Sequence, residues 1–191
     1  MRRNFVIGIL YTAATTLLLG IGYPLLITGL AQLFFPTKAN GSLLYSNGVL
    51  TGSELIGQPF SGPRYFHSRP SAAGAGYDAS ASGGSNLGPT NQKFVDRISA
   101  DVKSLSREHP GELVPIDLVT TSASGLDPDI TPEAAEFQMA TVARARGLSE
   151  STVHAVIQRN TRERQFSVLG EPRVNVLELN LDIAQLKPHT R

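Results

Sequence analysis

The 191-residue chain contains no cysteine. That excludes disulfides, thiolate nucleophiles and cysteine-based zinc sites. It leaves the compartment open, because an exported domain folds without disulfides where its core is large enough. A second absence concerns charge: no charged residue occurs between Arg3 and Lys38. The first acidic residue is Glu54, and all 16 acidic residues lie beyond Lys38, with 14 of the 17 basic ones. The part after Lys38 is therefore net −2 although the whole chain is +1, which argues against a general nucleic-acid surface.

The charge-free stretch is almost wholly apolar or small from Phe5 to Phe35. As a helix it would reach ~46 Å, against a hydrocarbon core of roughly 30 Å. It is too long for the apolar region of a cleaved signal peptide. Residues 1–38 are thus expected to be a retained transmembrane anchor, with a span of about 7–31 and with Pro24 as the place for a kink. Arg2, Arg3 and the α-amino group outweigh Lys38. The positive-inside rule then puts the N-terminus in the cytoplasm and the domain of residues 39–191 on the far side of the inner membrane. Gly8, Thr12, Thr16 and Gly20 recur every fourth residue, a spacing that lines one helix face with small side chains and lets another transmembrane helix approach.

The expected fold of the remainder is α+β, a single mixed domain without internal repeats. Asn47-Gly48 between Leu43-Leu44-Tyr45 and Val49-Leu50 predicts a hairpin with a type I′ turn. Leu55 to Phe66 reads as a short strand or irregular segment. Ser71 to Asn91 is a run of small residues, read either as a flexible surface loop or as an ordered loop pressed against a partner, its glycines permitting close backbone approach. Asn91 is placed to cap a helix to about Arg107, with Phe94, Val95, Ile98, Val102 and Leu105 on one face. Leu113 to Val119 reads as a short strand and Thr120 to Ile130 as a second small-residue loop. Thr131-Pro132 starts a helix that stops at Gly147, Ser149 caps the next, and Arg173 to Leu181 reads as a strand.

Chemical motifs are sparse. No G-x-x-x-x-G-K-[ST] phosphate loop and no G-x-S-x-G elbow occurs. Asp127-Pro128-Asp129-Ile130-Thr131 has the D-x-D-x-T form of aspartyl phosphatases, but SASGL before it is not the buried strand that chemistry needs. Val142 to Val153 has helix-turn-helix spacing, which an ordinary αα-corner shares. His67, His109, His154 and His189 have no paired-ligand spacing, so no metal site is expected. The aspartyl-phosphate sequence DKTGT of transport ATPases is also missing.

Five strings carry a resemblance: GxxFxxPRYFxSRPSA at Gly57–Ala72, YDAxxSGGSNLGPTN at Tyr77–Asn91, PxDLVTxSxSGLDPDIxPxAAxxQ at Pro115–Gln138, VARARGL at Val142–Leu148, and GEPRVNVLxLNL at Gly170–Leu181. With one N-terminal span, the chain resembles the C subunit of the Kdp potassium-transporting ATPase over essentially its whole length. The resemblance implies a non-catalytic accessory subunit of an ATP-driven potassium importer. It implies as partners a channel-like A subunit, an ATP-hydrolysing B subunit and a small F peptide, in a lipid membrane and without nucleic acid. The family's described role is that of a catalytic chaperone that raises the B subunit's affinity for ATP. No bound cofactor is expected beyond ATP reached through the complex. On this reading the two small-residue loops face the channel-like subunit through Tyr77, Ser82, Gly83, Gly84, Ser85, Asn86, Ser124, Gly125 and Asp127. Arg64, Tyr65, Phe66 and Arg69 would anchor the edge. Asp78, Asp127 and Asp129 would gather cations near the potassium entrance, although Asp129 reads better as a loop cap. A cytoplasmic nucleotide-binding regulator, a tethered DNA binder and a freestanding exported enzyme are the competing readings.

Overall fold

A computed structural model describes residues 1–186, so His189 lies outside the described residues. The chain divides into two compact units, Met1–Leu43 and the part from Leu44 onward. In the first, α1 (Arg2–Thr15), a π-helical stretch (Thr16–Gly22) and α2 (Tyr23–Phe34) run on as one helix, Arg2–Phe34, long and apolar enough to cross a membrane. The π stretch has a local cause. Pro24 has no N–H, and its ring collides with the carbonyl four residues back, so the preceding turn widens. The Tyr23 N–H donates to Leu18 O, five residues back. A short helix, α3 (Pro36–Ala39), follows.

A hairpin follows, β1 (Leu43–Ser46) and β2 (Val49–Ser53), all but Leu43 in the second unit, and Asn47 and Gly48 both take the positive φ that the type I′ turn requires. Residues 54–91 are irregular apart from one 3₁₀ turn, Ala79–Ala81. The helix α4 (Gln92–Glu108) is capped by the Asn91 side chain, which accepts from Lys93 N at 2.9 Å. The remainder is β3 (Asp129–Ile130), α5 (Pro132–Arg146), α6 (Glu150–Asn160), β4 (Thr161–Arg162), β5 (Arg173–Asn175) and α7 (Val176–Ala184). The small sheet has the order β3–β5–β4, antiparallel throughout, with Ile130 and Thr161 both opposite Val174.

The domain is thus a mixed α/β fold. Its core gathers Phe137 and Val142 of α5, Val153, Val156 and Ile157 of α6, Leu179 and Ile183 of α7, Val174 of β5, and Phe66 from the irregular segment. Thr131 caps α5 by accepting from Ala134 N at 3.2 Å, and Ser149 caps α6 through Thr152 N at 3.1 Å. The two helices meet at Gly147, which is left-handed, and α6 buries its apolar face in the core. This is the αα-corner rather than a presented recognition helix.

Two expected strands are not strands. Residues 113–119 hold a 3₁₀ turn, Ile116–Leu118, because Pro115 cannot donate to a ladder and the Asp117 carboxylate turns away to accept from Thr131 N at 2.8 Å. The Arg173–Leu181 segment pairs only through Asn175. Asn175 Oδ1 then accepts from Glu178 N at 3.1 Å and caps α7, whose buried Val176, Leu179, Asn180 and Ile183 follow helical spacing.

Candidate functional site

The two small-residue loops are built against each other. Gly83 N donates to Ser124 O at 2.8 Å, Ser82 Oγ to Ser124 O at 3.0 Å, and Ser71 Oγ to Gly125 O at 2.5 Å. Ser71 Oγ also accepts from Tyr77 N at 2.7 Å, while the Tyr77 hydroxyl reaches Arg69 O at 2.6 Å. Burial pushes the Tyr77 pKa up, so the phenol stays protonated and donates. Gly125 sits at the centre with φ +67°, and a Cβ there would stand 2.6 Å from Gly83 O and 2.7 Å from Ala73 N. At Gly84 a Cβ would come within 3.1 Å of Ala123 O. Close backbone approach is the reason for these glycines, and the backbone approached belongs to this same chain.

Beside this seam lies a network of ion pairs. Arg69 donates to Thr120 O and Thr120 Oγ1, at 3.3 and 3.1 Å, and stands 3.5 Å from Asp127 and 3.8 Å from Asp117. Arg173 Nε pairs with Asp129 at 2.9 Å, and Asn175 Nδ2 donates to Asp129 Oδ1 at 3.2 Å. Burial raises the Asp129 pKa; the nearby Arg173 opposes that rise and Asp127 adds to it. Arg69, Asp117, Asp127, Asp129 and Arg173 line a cleft of about 280 Å³ with Glu171 and Thr131.

The expected site residues therefore fall into separate groups. Arg69, Tyr77, Gly83, Gly125 and Asp127 hold the loops together from within. Ser82, Asn86 and Ser124 lie at the exposed surface, with Ser85 half-buried. Arg64 and Tyr65 form another edge: Arg146 Nε donates to Arg64 O at 2.6 Å, and its guanidinium carbon lies 5.1 Å from the Tyr65 ring centroid. Burial and the neighbouring Arg64 charge lower the Arg146 pKa. Phe66 needs correcting as an edge anchor. It is 0% exposed, and Asn180 clasps its backbone on both sides, accepting from Phe66 N at 2.8 Å and donating to Phe66 O at 2.9 Å. Its size and aromaticity serve the core.

The acidic residues also separate. Asp127 and Asp129 are each matched by an arginine, whereas exposed Asp78 caps the Ala79–Ala81 turn, and hydrogen bonds from the Ser80 hydroxyl and N–H hold its pKa down. Among the described residues no group of three or more His, Asp or Glu has the arrangement to hold a metal ion. On the first unit, Gly8 and Thr12 open a shallow groove with Phe5, Ile9 and Ala13, and Gly20 lies beside Thr16, whose Cγ2 is 3.7 Å from where a Cβ would stand.

Sequence reasoning missed the buried amides Gln138, Asn175 and Asn180, which tie distant segments together. Gln138 Oε1 accepts from His67 N at 2.8 Å, and Asn175 Nδ2 donates to Glu54 O at 2.8 Å. A signal existed: Asn175 and Asn180 interrupt an apolar run, where an amide is retained only with partners.

Comparison with known proteins extends beyond these strings. The family described as KdpC, the c chain of K+-transporting ATPase, matches residues 5–185. The potassium-transporting ATPase KdpC subunit of Koribacter versatilis is 61% identical over 188 residues, covering 98% of this chain and 97% of the relative. The corresponding subunits of Acidobacterium capsulatum and Rhodospirillum rubrum are 54% and 50% identical, covering 94% and 98% of this chain and 96% and 98% of those proteins. With end-to-end similarity of this strength, the chain belongs to the KdpC family of potassium-transporting ATPase subunits.

Proposed function

We propose that this chain is the non-catalytic accessory subunit of a Kdp-type potassium importer, membrane-anchored with its N-terminus inside and its domain outside. The observation that carries the reading is the family match from residue 5 to residue 185, which includes both the apolar helix and the domain. The flanking charges support the orientation, since Arg2 and Arg3 lie before the helix and only Lys38 lies soon after it. Its partners are the channel-like A subunit, the ATP-hydrolysing B subunit and the small F peptide. The domain covers the external opening of the channel-like subunit and acts as a catalytic chaperone, raising the ATP affinity of the hydrolysing subunit indirectly, through assembly.

Of the residues expected at the interface, the exposed ones do the touching: Arg64 and Tyr65 on one edge, Ser82, Asn86 and Ser124 with half-buried Ser85 on the joined loops. Arg69, Tyr77, Gly83, Gly84, Gly125 and Asp127 shape the surface from behind. The small residues Gly8, Thr12, Thr16 and Gly20 pack on a neighbouring transmembrane helix.

The absence of cysteine makes the placement directly testable. Ser151 is exposed near the start of α6, and Ser151→Cys supplies a single thiol. An impermeant maleimide should label it on intact spheroplasts. Labelling only after the membrane is opened would put the domain in the cytoplasm and favour a regulator that meets nucleotide directly. In purified complex, omitting this subunit should raise the KM for ATP with potassium-stimulated hydrolysis still measurable. An unchanged KM would remove the chaperone role.

A further inference from the structure

Most described arginines of the domain are matched by a carboxylate. Arg69, Arg97, Arg159, Arg162, Arg164 and Arg173 each stand beside an aspartate or glutamate of this chain. Arg64 and Arg146 pair with none among the described residues, and they lie side by side. Arg107 and Arg144 are unpaired as well, but no hydrogen bond or ring contact holds either guanidinium, which is the ordinary state of a solvated surface cation.

Arg146, by contrast, is held in place. Its Nε donates to Arg64 O at 2.6 Å, which ties the last turn of α5 to the irregular segment at Arg64 and Tyr65. Its guanidinium carbon lies 5.1 Å from the Tyr65 ring centroid, and the Tyr65 ring rests 5.7 Å from that of Phe60. Hydrogen bond and ring contact together fix the guanidinium fork. Among the described residues, the terminal Nη1 and Nη2 groups of Arg146 make no hydrogen bond, and neither does the Arg64 side chain.

The local charge is therefore uncompensated. Arg146 is half-buried and Arg64 exposed, with no carboxylate of this chain to offset either. Two like charges side by side cost stability, the more so where one is partly desolvated. The negative end of the α5 dipole favours a cation in its last turn and accounts for part of this arrangement. It does not account for Arg64, which belongs to no helix, or for the bond that brings Arg146 onto the backbone of another cationic residue.

We infer that Arg64 and Arg146 form a receptor for one carboxylate, an aspartate or glutamate side chain of the channel-like subunit, with Tyr65 packing beside it. This rests on the proposal above that the domain covers that subunit. A fixed guanidinium with its terminal N–H groups unused matches a carboxylate through two parallel hydrogen bonds, and Arg64 adds a second positive charge. The rim of Phe60 and Tyr65, the latter 38% exposed, favours a protein partner over a lipid headgroup, because arginine beside tyrosine is the composition of protein contact centres. An arriving carboxylate attracts both arginines, so their mutual repulsion is offset in the complex and not in the free subunit.

A carbodiimide joins an amine to a carboxylate at contact distance and leaves arginine untouched. Arg146→Lys and Arg64→Lys each place an amine at the site. In the assembled complex either variant should gain a cross-link to the channel-like subunit, traceable by mass spectrometry to one aspartate or glutamate. Wild type should lack that product, as should Arg144→Lys, the exposed control on the same helix. Arg64→Gln removes a side chain that makes no hydrogen bond or ion pair among the described residues. The urea midpoint of the isolated subunit should therefore stay unchanged, while affinity for the channel-like subunit falls roughly tenfold and becomes less sensitive to salt. The inference fails if both lysine variants assemble without the cross-link, or if Arg64→Gln binds as wild type does. It fails too if the Arg64→Gln effect is present in phosphatidylglycerol bilayers and absent in phosphatidylcholine ones, because lipid phosphate is then the ligand. A cross-link to the ATP-hydrolysing subunit would overturn the assigned partner. Failure of the external placement reads out separately, as Ser151→Cys that labels only after the membrane is opened.

Discussion

Between α5, α6 and α7 the domain is held by side chains: Val142, Val153, Ile157, Leu179 and Ile183 exclude water from one another, the buried amides Gln138 and Asn180 are satisfied, and ion pairs such as Arg159–Asp182 lie at the more exposed rim. Between residues 71–91 and 120–130 the bonds run from main chain or small hydroxyl to main chain, through Gly83, Ser82, Ser71 and Gly125. The first region tolerates changes that preserve apolar volume, because burial is non-directional. The second has little apolar area to lose and depends on fixed backbone paths. A surface made this way is rigid without being hydrophobic.

Phe66 joins the two regions, and its removal is the largest effect expected. Phe66→Ala leaves a cavity among α5, α6 and α7 and should cost about 3–5 kcal/mol, read as a shift of the urea midpoint at unchanged m-value. A loss confined to subunit assembly, with the isolated chain as stable as wild type, would restore Phe66 to the interface. Gly125→Ala tests the other region. A non-glycine residue at φ +67° facing two backbone atoms should cost about 2–4 kcal/mol, from left-handed strain and overpacking together. A near-neutral result would mean that the seam yields, and that the loops are adaptable rather than preset.

Elements whose cause is local were legible in the sequence: the Asn47-Gly48 turn, the Asn91, Thr131 and Ser149 caps, the stop at Gly147 and the long apolar helix all emerge as expected. Misreadings arose where tertiary partners decide. VNVLELNL alternates like a strand, yet Asn175 caps a helix, and the alternation is also compatible with helical burial of Val176, Leu179 and Ile183. The apolar residues of α4 share one face as expected, yet none of its residues is buried, whereas α5, with many alanines and a weaker stripe, is a core helix. Periodicity reports which face is apolar and leaves open what covers it. Of the candidate site, the loops' composition was legible. That they close on each other was not, because a glycine needed for approach looks the same whichever backbone approaches.

A smaller effect separates the outer surface of the joined loops from their seam. Ser85 is half-buried, and neither turn nor cap depends on its side chain. Ser85→Trp should change the stability of the isolated subunit by no more than about 0.5 kcal/mol while reducing co-purification with the channel-like subunit. Gly84→Trp would confuse the two, because any side chain at Gly84 strains the contact with Ala123. Full assembly of the S85W subunit would take this loop out of the interface and leave the Arg64–Tyr65 edge to carry it.

The finest test lies in the ion pairs beside the seam. Burial outweighs Arg173 in setting the Asp129 pKa, which lies above its ordinary value of 3.8. The folded protein then binds this proton more tightly than the unfolded chain. Between 3.8 and the raised folded value, Asp129's contribution to stability falls as the pH rises, and at neutral pH its ionised form is a net cost. Asp129→Asn removes that titration and keeps an oxygen for the bond from Asn175, at the expense of the pair with Arg173. The variant should match or slightly exceed wild type at neutral pH, by less than about 1 kcal/mol, and its advantage should shrink as the pH is lowered through the window. Stability curves at several pH values check this. If the advantage instead grew on acidification, the ion pair with Arg173 would outweigh burial, and the second region would be held by charge as well as by backbone.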